Sequence, residues 1–151
     1  MNIEVASSEA MQDLGAKIGA CIAGGESIEL VGDIGAGKTT FTKGFARALG
    51  ITEDIQSPTF TINNQYDTPN GQVLAHYDFY RLSEPGVMRS ELAEALSDSQ
   101  TVTVLEWGDV VADVLPDDTL RISIVPTAED TRVANLTAGG PRSRRILEQL
   151  V

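Results

Sequence analysis

The chain has 151 residues, enough to bury one core and too few for two ordinary domains. Hydrophobic residues make up 42% and charged residues 22%, a globular composition that excludes a disordered chain. With 22 acidic against 11 basic side chains the formal charge is −11, and so negative a surface repels phosphate backbones, which excludes direct nucleic-acid binding as the main function.

No apolar run approaches about 18 residues, so no membrane span is expected. Met1 to Ala10 has neither positive residues nor an apolar core, so no secretory signal is expected either. The single cysteine, Cys21, cannot form an internal disulfide, which suits a reducing cytoplasm. Without repeats or linker-like stretches, residues 1–151 read as a single domain.

In chain order, Ile3 to Val5 is extended and Ser7 and Ser8 offer N-caps. Met11, Leu14, Ile18, Cys21 and Ile22 then follow the spacing of one helix face, up to Gly24-Gly25. Ser27 to Val31 reads as a buried strand, and Lys38 to Leu49 as a helix with Phe41, Phe45, Ala48 and Leu49 inward. Thr59 to Tyr66 and Val73 to Tyr80 form a predicted hairpin around Thr68-Pro69-Asn70-Gly71. A helix is predicted over Met88 to Leu96. Thr101 to Leu105 has the uncharged, β-branched character of a strand buried on both faces. Leu120 to Val125 and Thr131 to Leu136 are further strands, and Pro141 opens a last helix containing Ile146, Leu147, Leu150 and Val151. The alternation of strands and helices gives an α/β class with a central sheet.

Gly32-Asp33-Ile34-Gly35-Ala36-Gly37-Lys38-Thr39 fits G-x-x-x-x-G-K-[ST] at every specified position, between a strand and a helix. The glycines let backbone N–H groups converge on phosphates, Lys38 reaches the β and γ phosphates, and the Thr39 hydroxyl suits Mg²⁺. The following helix points its positive end at the same anions. An acidic protein needs such local donors, so the cation is expected to be obligatory.

Hydrolysis also needs a magnesium-side carboxylate and a group to orient water. Glu106, at the end of Val102-Thr103-Val104-Leu105-Glu106, has the required placement; the alternative is a surface glutamate beside a core tryptophan, Trp107. Asp78 ends the run His76-Tyr77-Asp78 and is the other candidate, the alternative being a turn residue. Ser57-Pro58-Thr59-Phe60 lies where a nucleotide-dependent switch segment would, or is a proline-fixed turn. His76 is the only histidine, which excludes a histidine-rich metal site, and Cys21 reads as core.

Gly-Asp-Ile-Gly-Ala-Gly-Lys-Thr-Thr-Phe from Gly32, Ser-Pro-Thr-Phe-Thr from Ser57, His-Tyr-Asp-Phe-Tyr-Arg-Leu from His76 and Leu-Glu-Trp from Leu105 together resemble the TsaE (YjeE) family. These bacterial ATPases support threonylcarbamoylation of adenosine 37 in tRNAs reading ANN codons. The resemblance implies a P-loop NTPase-like α/β sandwich, with a central mostly parallel sheet plus antiparallel strands. It also implies action on the transferase subunit TsaD and its paralogue TsaB, with tRNA met only through that complex. Carried over by motif, Asp33, Gly35, Ala36, Gly37, Lys38, Thr39 and Thr40 hold ATP. Thr39 and Glu106 hold Mg²⁺, and Asp78, Glu106 and Lys38 serve hydrolysis. Thr59 belongs to the switch-like segment and Trp107 lies beside the nucleotide, which Ser8 and Arg132 also approach. Gly108 replaces a proline common after the Glu-Trp pair, and a glycine common in the helix after the Tyr-Arg-Leu segment is absent around Glu91 to Leu96.

Three rival functions share the phosphate loop. A small-molecule or nucleotide kinase would bring lid arginines, for which only Arg81 and Arg89 are placed. A GTPase would read guanine with Asn-Lys-x-Asp, and Asn64-Gln65-Tyr66-Asp67 lacks the lysine. A non-catalytic adaptor would bind nucleotide without turning it over. No arginine is placed as a finger, so hydrolysis by the chain alone is expected to be slow and partner-stimulated. The charge is uneven: residues 1–140 carry 21 acidic and 8 basic side chains, while Arg142, Arg144 and Arg145 form a basic tail, read as a solvated helix face.

Overall fold

A computed structural model describes residues 1–58, 61–80, 82 and 86–151. Seven strands form one sheet in the order β1-β7-β6-β2-β5-β4-β3. They are β1 (Asn2–Val5), β2 (Ser27–Val31), β3 (Asn63–Asp67), β4 (Val73–Asp78), β5 (Thr101–Glu106), β6 (Thr119–Pro126) and β7 (Arg132–Ala138). Four parallel strands, β6, β2, β5 and β4, make the centre. The antiparallel additions are β7 and β1 on one side and β3 on the other. This is the expected α/β architecture, with the carboxyl ends of the parallel strands along one rim, where open sheets of this kind bind ligands.

Helices cover both faces. α1 (Ser8–Gly19), α2 (Lys38–Ala48) and α4 (Pro141–Gln149) contribute to the larger core, around Ile28, Leu30, Val102 and Val104. α3 (Val87–Ser97) and a 3₁₀ turn at Gly108–Val111 contribute to a smaller one around Tyr77, Phe79 and Leu105. Side chains alternate across a strand, so Leu74 and Val102 face the larger core while Ala75 and Leu105 face the smaller. Among the described residues, no helix is long and apolar enough to cross a membrane.

The closest helix contact is between α1 and α2, and glycines make it possible. A Cβ on Gly15 would lie 2.1 Å from the Phe41 carbonyl oxygen, and one on Gly44 would lie 1.9 Å from that of Gln12. The helices therefore meet backbone to backbone, which anchors α2 and with it the loop at its N-terminus.

Local chemistry refines several element boundaries. Ser7 caps α1 by accepting from the Ala10 N–H at 3.0 Å, and the helix ends at Gly19 rather than at Gly24-Gly25. Cys21 and Ile22 lie in tightened turns, bonded to the carbonyls of Ile18 and Gly19, and still pack against the core. The predicted Thr59–Tyr66 strand starts only at Asn63. Its first two residues, Thr59 and Phe60, lie outside the described residues, and the Pro58 carbonyl accepts from the N–H groups of both Thr61 and Ile62 in a turn. The partner strand stops at Asp78, two residues early, because the Asp78 carboxylate accepts from the Tyr80 N–H at 2.9 Å and turns the chain. The last helix ends at Gln149, leaving Leu150 and Val151 beyond it. It is capped from a distance: Asp118 accepts from the N–H groups of Arg142 and Ser143 and from the Ser143 hydroxyl. Burial raises the Asp118 pKa, but the Ser143 and Arg142 hydrogen bonds outweigh it and hold the carboxyl below its ordinary value. Two of the three tail arginines bind the chain itself. Arg142 donates to the Gly25 carbonyl and Arg145 to Glu26, so the basic tail fastens α4 to the α1–β2 connection.

Ala has the better helix propensity by about 1 kcal/mol, yet Gly44→Ala is expected to destabilise the protein. Forcing a methyl group into a backbone contact costs about 1–3 kcal/mol or more. Thermal denaturation should show a melting temperature lower by several degrees; an unchanged or raised value would show that α1 and α2 can part without loss.

Candidate functional site

The loop from Gly32 to Gly37 joins the end of β2 to α2. Gly35 and Gly37 have φ of +83° and +114°, conformations that side-chain-bearing residues rarely adopt. The first-turn N–H groups of α2, unpaired within the helix, and its dipole both favour an anion at this point. Lys38 opens the helix with its side chain only 6% exposed. Its ammonium donates to the Gly32 carbonyl at 2.6 Å, sits 4.2 Å from the centre of the Trp107 ring and lies 3.9 Å from Glu106 Oε1. Burial lowers the Lys38 pKa, and the negative charges of Glu106, Asp78 and Asp33 oppose that shift without cancelling it.

The two carboxylates come from neighbouring strands in register. Asp78 ends β4 directly opposite Glu106 at the end of β5, and both are buried. Parallel pairing with β2 brings those strand ends to the phosphate-loop rim. Glu106 Oε2 is 2.8 Å from Nε2 of the fully buried His76. Trp107 has φ +57° and ψ +46°, a left-handed conformation that costs a bulky residue roughly 1–2 kcal/mol. The turn begins the 3₁₀ segment and sets the indole between Lys38 and Tyr80, whose ring centre is 4.9 Å away.

A cleft of about 420 Å³ gathers these groups. Ile34, Gly35, Gly37, Lys38, Thr39, Thr40, Ser57, Asp78, Tyr80, Glu106 and Trp107 line it. A second cleft of about 400 Å³ shares Gly35, Gly37 and Thr40 and is lined further by Ser8, Ala36, Met11, Asp130 and Arg132. Ser8 and Arg132 meet there because Val5 of β1 pairs with Arg132 of β7. Asp33 lies apart from both, in a small cleft behind the loop with Glu29 and Asp109, and its carbonyl accepts from the Ala36 N–H. Thr59 lies outside the described residues, while Ser57, from the same switch-like segment, lines the first cleft. Arg81 is also outside the described residues, and Arg89 pairs with Asp113 on the surface. Cys21 is half-buried with its thiol on the Lys17 carbonyl, and burial raises its pKa, as suits a core role.

Three contributors escape sequence reading. His76 binds Glu106 across 30 residues of chain, Tyr80 flanks the indole, and Ile34 lines the cleft although 71% exposed. His76 lies opposite Val104, so it meets Glu106 diagonally, two positions along β5 on the same face, and that proximity follows only from the strand register.

Among the described residues, no group of three or more His, Cys, Asp and Glu side chains is placed to hold a metal ion. The hard oxygens lining the cleft include the Thr39 hydroxyl and the Glu106 and Asp78 carboxylates. Mg²⁺ commonly takes one or two protein oxygens and completes its shell with water and substrate phosphates, so this donor set fits it.

The family model for threonylcarbamoyl adenosine biosynthesis protein TsaE matches residues 5–134. The chain belongs to the TsaE family. The match takes in the loop, Asp78, Glu106, Trp107, Ser8 and Arg132, and leaves out α4. The tRNA threonylcarbamoyladenosine biosynthesis protein TsaE of Bacillus subtilis (strain 168) is 40% identical, over 83% of this chain and 78% of its own length. The Streptomyces coelicolor protein of the same name is 34% identical over 87% and 93%. The crystal structure of Bacillus subtilis YdiB superposes with a TM-score of 0.80 at 34% identity, covering 99% of this chain and 93% of the other. The shared fold is P-loop-like α/β, and the antiparallel strands flanking the parallel centre are those expected from the TsaE resemblance.

Lys38 gives a sign to the pH dependence of stability. Its lowered pKa means that, between that value and 10.5, the unfolded chain holds more protons than the folded one, so stability rises with pH across the window. Below both values the full cost of the buried charge is present, and it fades as pH rises towards 10.5. Lys38→Met is therefore expected to melt at or above the wild-type temperature at pH 7, with the difference shrinking towards pH 10. A clearly less stable variant at pH 7 would show that the Gly32 and Trp107 contacts outweigh desolvation.

Proposed function

We propose that this chain binds ATP with Mg²⁺ and hydrolyses it in tRNA threonylcarbamoyladenosine biosynthesis, as a cytoplasmic accessory ATPase acting on the TsaD/TsaB transferase complex. The reading rests above all on one juxtaposition: a phosphate loop with its lysine faces two buried carboxylates, Asp78 and Glu106, across a single cleft. Membership of the TsaE family supports the pathway.

The backbone N–H groups of the loop and the α2 N-terminus cradle the β and γ phosphates. Lys38 transfers its ammonium from the Gly32 carbonyl to those oxygens and neutralises charge that develops in phosphoryl transfer. The Thr39 hydroxyl and Glu106 Oε1 would hold the metal, which would supply charge neutralisation for the phosphates. Asp78 sits beside Glu106 and orients the attacking water, accepting its proton as the oxygen bonds to the γ-phosphorus and the bond from that phosphorus to the β–γ bridging oxygen breaks, with ADP leaving. Trp107 and Tyr80 wall the cleft and limit bulk water, while the second cleft, with Ser8 and Arg132, offers room for the remainder of the nucleotide. Lys38 is the one basic residue among the described residues lining the first cleft, and on this reading turnover alone is slow and partner contact accelerates it.

ATP hydrolysis measured alone and with TsaD and TsaB tests this. Adding both subunits should raise turnover, and Asp78→Ala and Glu106→Ala should each lower the stimulated rate by about 10²-fold or more, within the range of general-base and electrostatic contributions. Turnover that the partners leave unchanged, or that survives both substitutions, would return the chain to a nucleotide-binding adaptor.

A further inference from the structure

His76 is fully buried in β4, on the same face of the sheet as Leu74 and Asp78. Its Nε2 lies 2.8 Å from Glu106 Oε2, and its Nδ1 is buried without a hydrogen-bond partner among the described residues. Those two facts fix the ring's hydrogen placement. A carboxylate oxygen only accepts, so Nε2 carries the proton and donates it to Glu106. Nδ1 is then a bare lone pair, since a proton there would be a buried donor with nothing to receive it.

An apolar side chain at this position would avoid burying an unpaired nitrogen. What the imidazole adds is one rigid donor aimed at one oxygen of Glu106. With Oε2 held, Oε1 is the oxygen turned towards Lys38, 3.9 Å from its ammonium, and towards the cleft lined by Thr39. We propose that His76 is a positioning residue that fixes the rotation of the Glu106 carboxylate and presents Oε1 alone to the metal of the nucleotide site. The inference rests on the metal-dependent reading above. Mg²⁺ demands near-ideal octahedral geometry, and a single pre-oriented oxygen meets that demand better than a carboxylate free to turn or chelate.

The test compares wild type with His76→Leu, His76→Met and His76→Gln. Leucine and methionine remove the donor, whereas the glutamine amide places an N–H close to the position of Nε2. Calorimetry reads ATP affinity in EDTA and then the Mg²⁺ concentration needed for half-maximal enhancement of ATP binding. Both donorless variants should need on the order of 10- to 100-fold more Mg²⁺, with ATP affinity in EDTA unchanged, and His76→Gln should recover most of the loss. Unchanged Mg²⁺ dependence in the donorless variants would overturn the inference. So would an equal loss in EDTA, which marks a merely structural role. A second readout uses the wild type alone: this is the only histidine, so ¹⁵N spectra of the metal-free protein report on one ring. They should show Nε2 protonated and Nδ1 bare, and the opposite tautomer would contradict the assignment. Failure of the underlying reading looks different: wild-type protein would then bind ATP with no enhancement by Mg²⁺.

Discussion

The site is organised around a buried positive charge. Among the described residues, Lys38 is the only lysine or arginine that is buried, and an ammonium out of water is costly unless its surroundings replace the lost hydration. Here the replacements come from three directions: the Gly32 carbonyl from its own loop, the Trp107 ring from the segment after β5, and Glu106 from the end of β5. Each requires the strands to end where they do. The parallel register of β2, β5 and β4 brings the loop and both carboxylates to one rim, and the glycine contact between α1 and α2 fixes the helix that carries the lysine. Net destabilisation of the charge, seen in the lowered Lys38 pKa, suits a group that gains by meeting phosphate.

Parts of this arrangement are legible in the sequence because they are local. The phosphate loop declares its own strand and helix, and the uncharged run before Glu106 marks β5 as buried on both faces, which all six of its residues are. Other parts depend on pairings that no local pattern encodes. Glycines within α1 and α2 read as helix-weakening residues until the helices are set side by side. Asp118 caps a helix 24 residues downstream, and His76 meets Glu106 only through strand register. The strand predicted from Thr59 is β3 from Asn63 onward, and its late start has a local cause: β-branched residues favour extension, yet Ile62 has φ +68° and closes a turn on Pro58 before β3 begins. The positions of Ser8 and Arg132 follow from the antiparallel β1–β7 pair, which the alternation of helices and strands does not foretell.

The charge balance acquires a more specific meaning once the site is built. Two of the three tail arginines, Arg142 and Arg145, are engaged inside the chain, which narrows the basic tail as a contact surface. The remaining surface keeps the strongly acidic character of the whole, with a formal charge of −11. Such a surface repels RNA and favours docking on basic protein partners. The proposed role, an ATPase acting on RNA-modifying proteins and meeting tRNA only through them, accommodates both the acidity and the phosphate loop.

The most direct measurement of that account is threonylcarbamoylation of tRNA by TsaD and TsaB over many turnovers, in the presence of ATP, with this chain, without it, and with its Lys38→Ala variant. The account predicts sustained modification only with the wild-type chain, while the variant stalls as the sample lacking the chain does. Equal multiple-turnover yield in all three samples would contradict it.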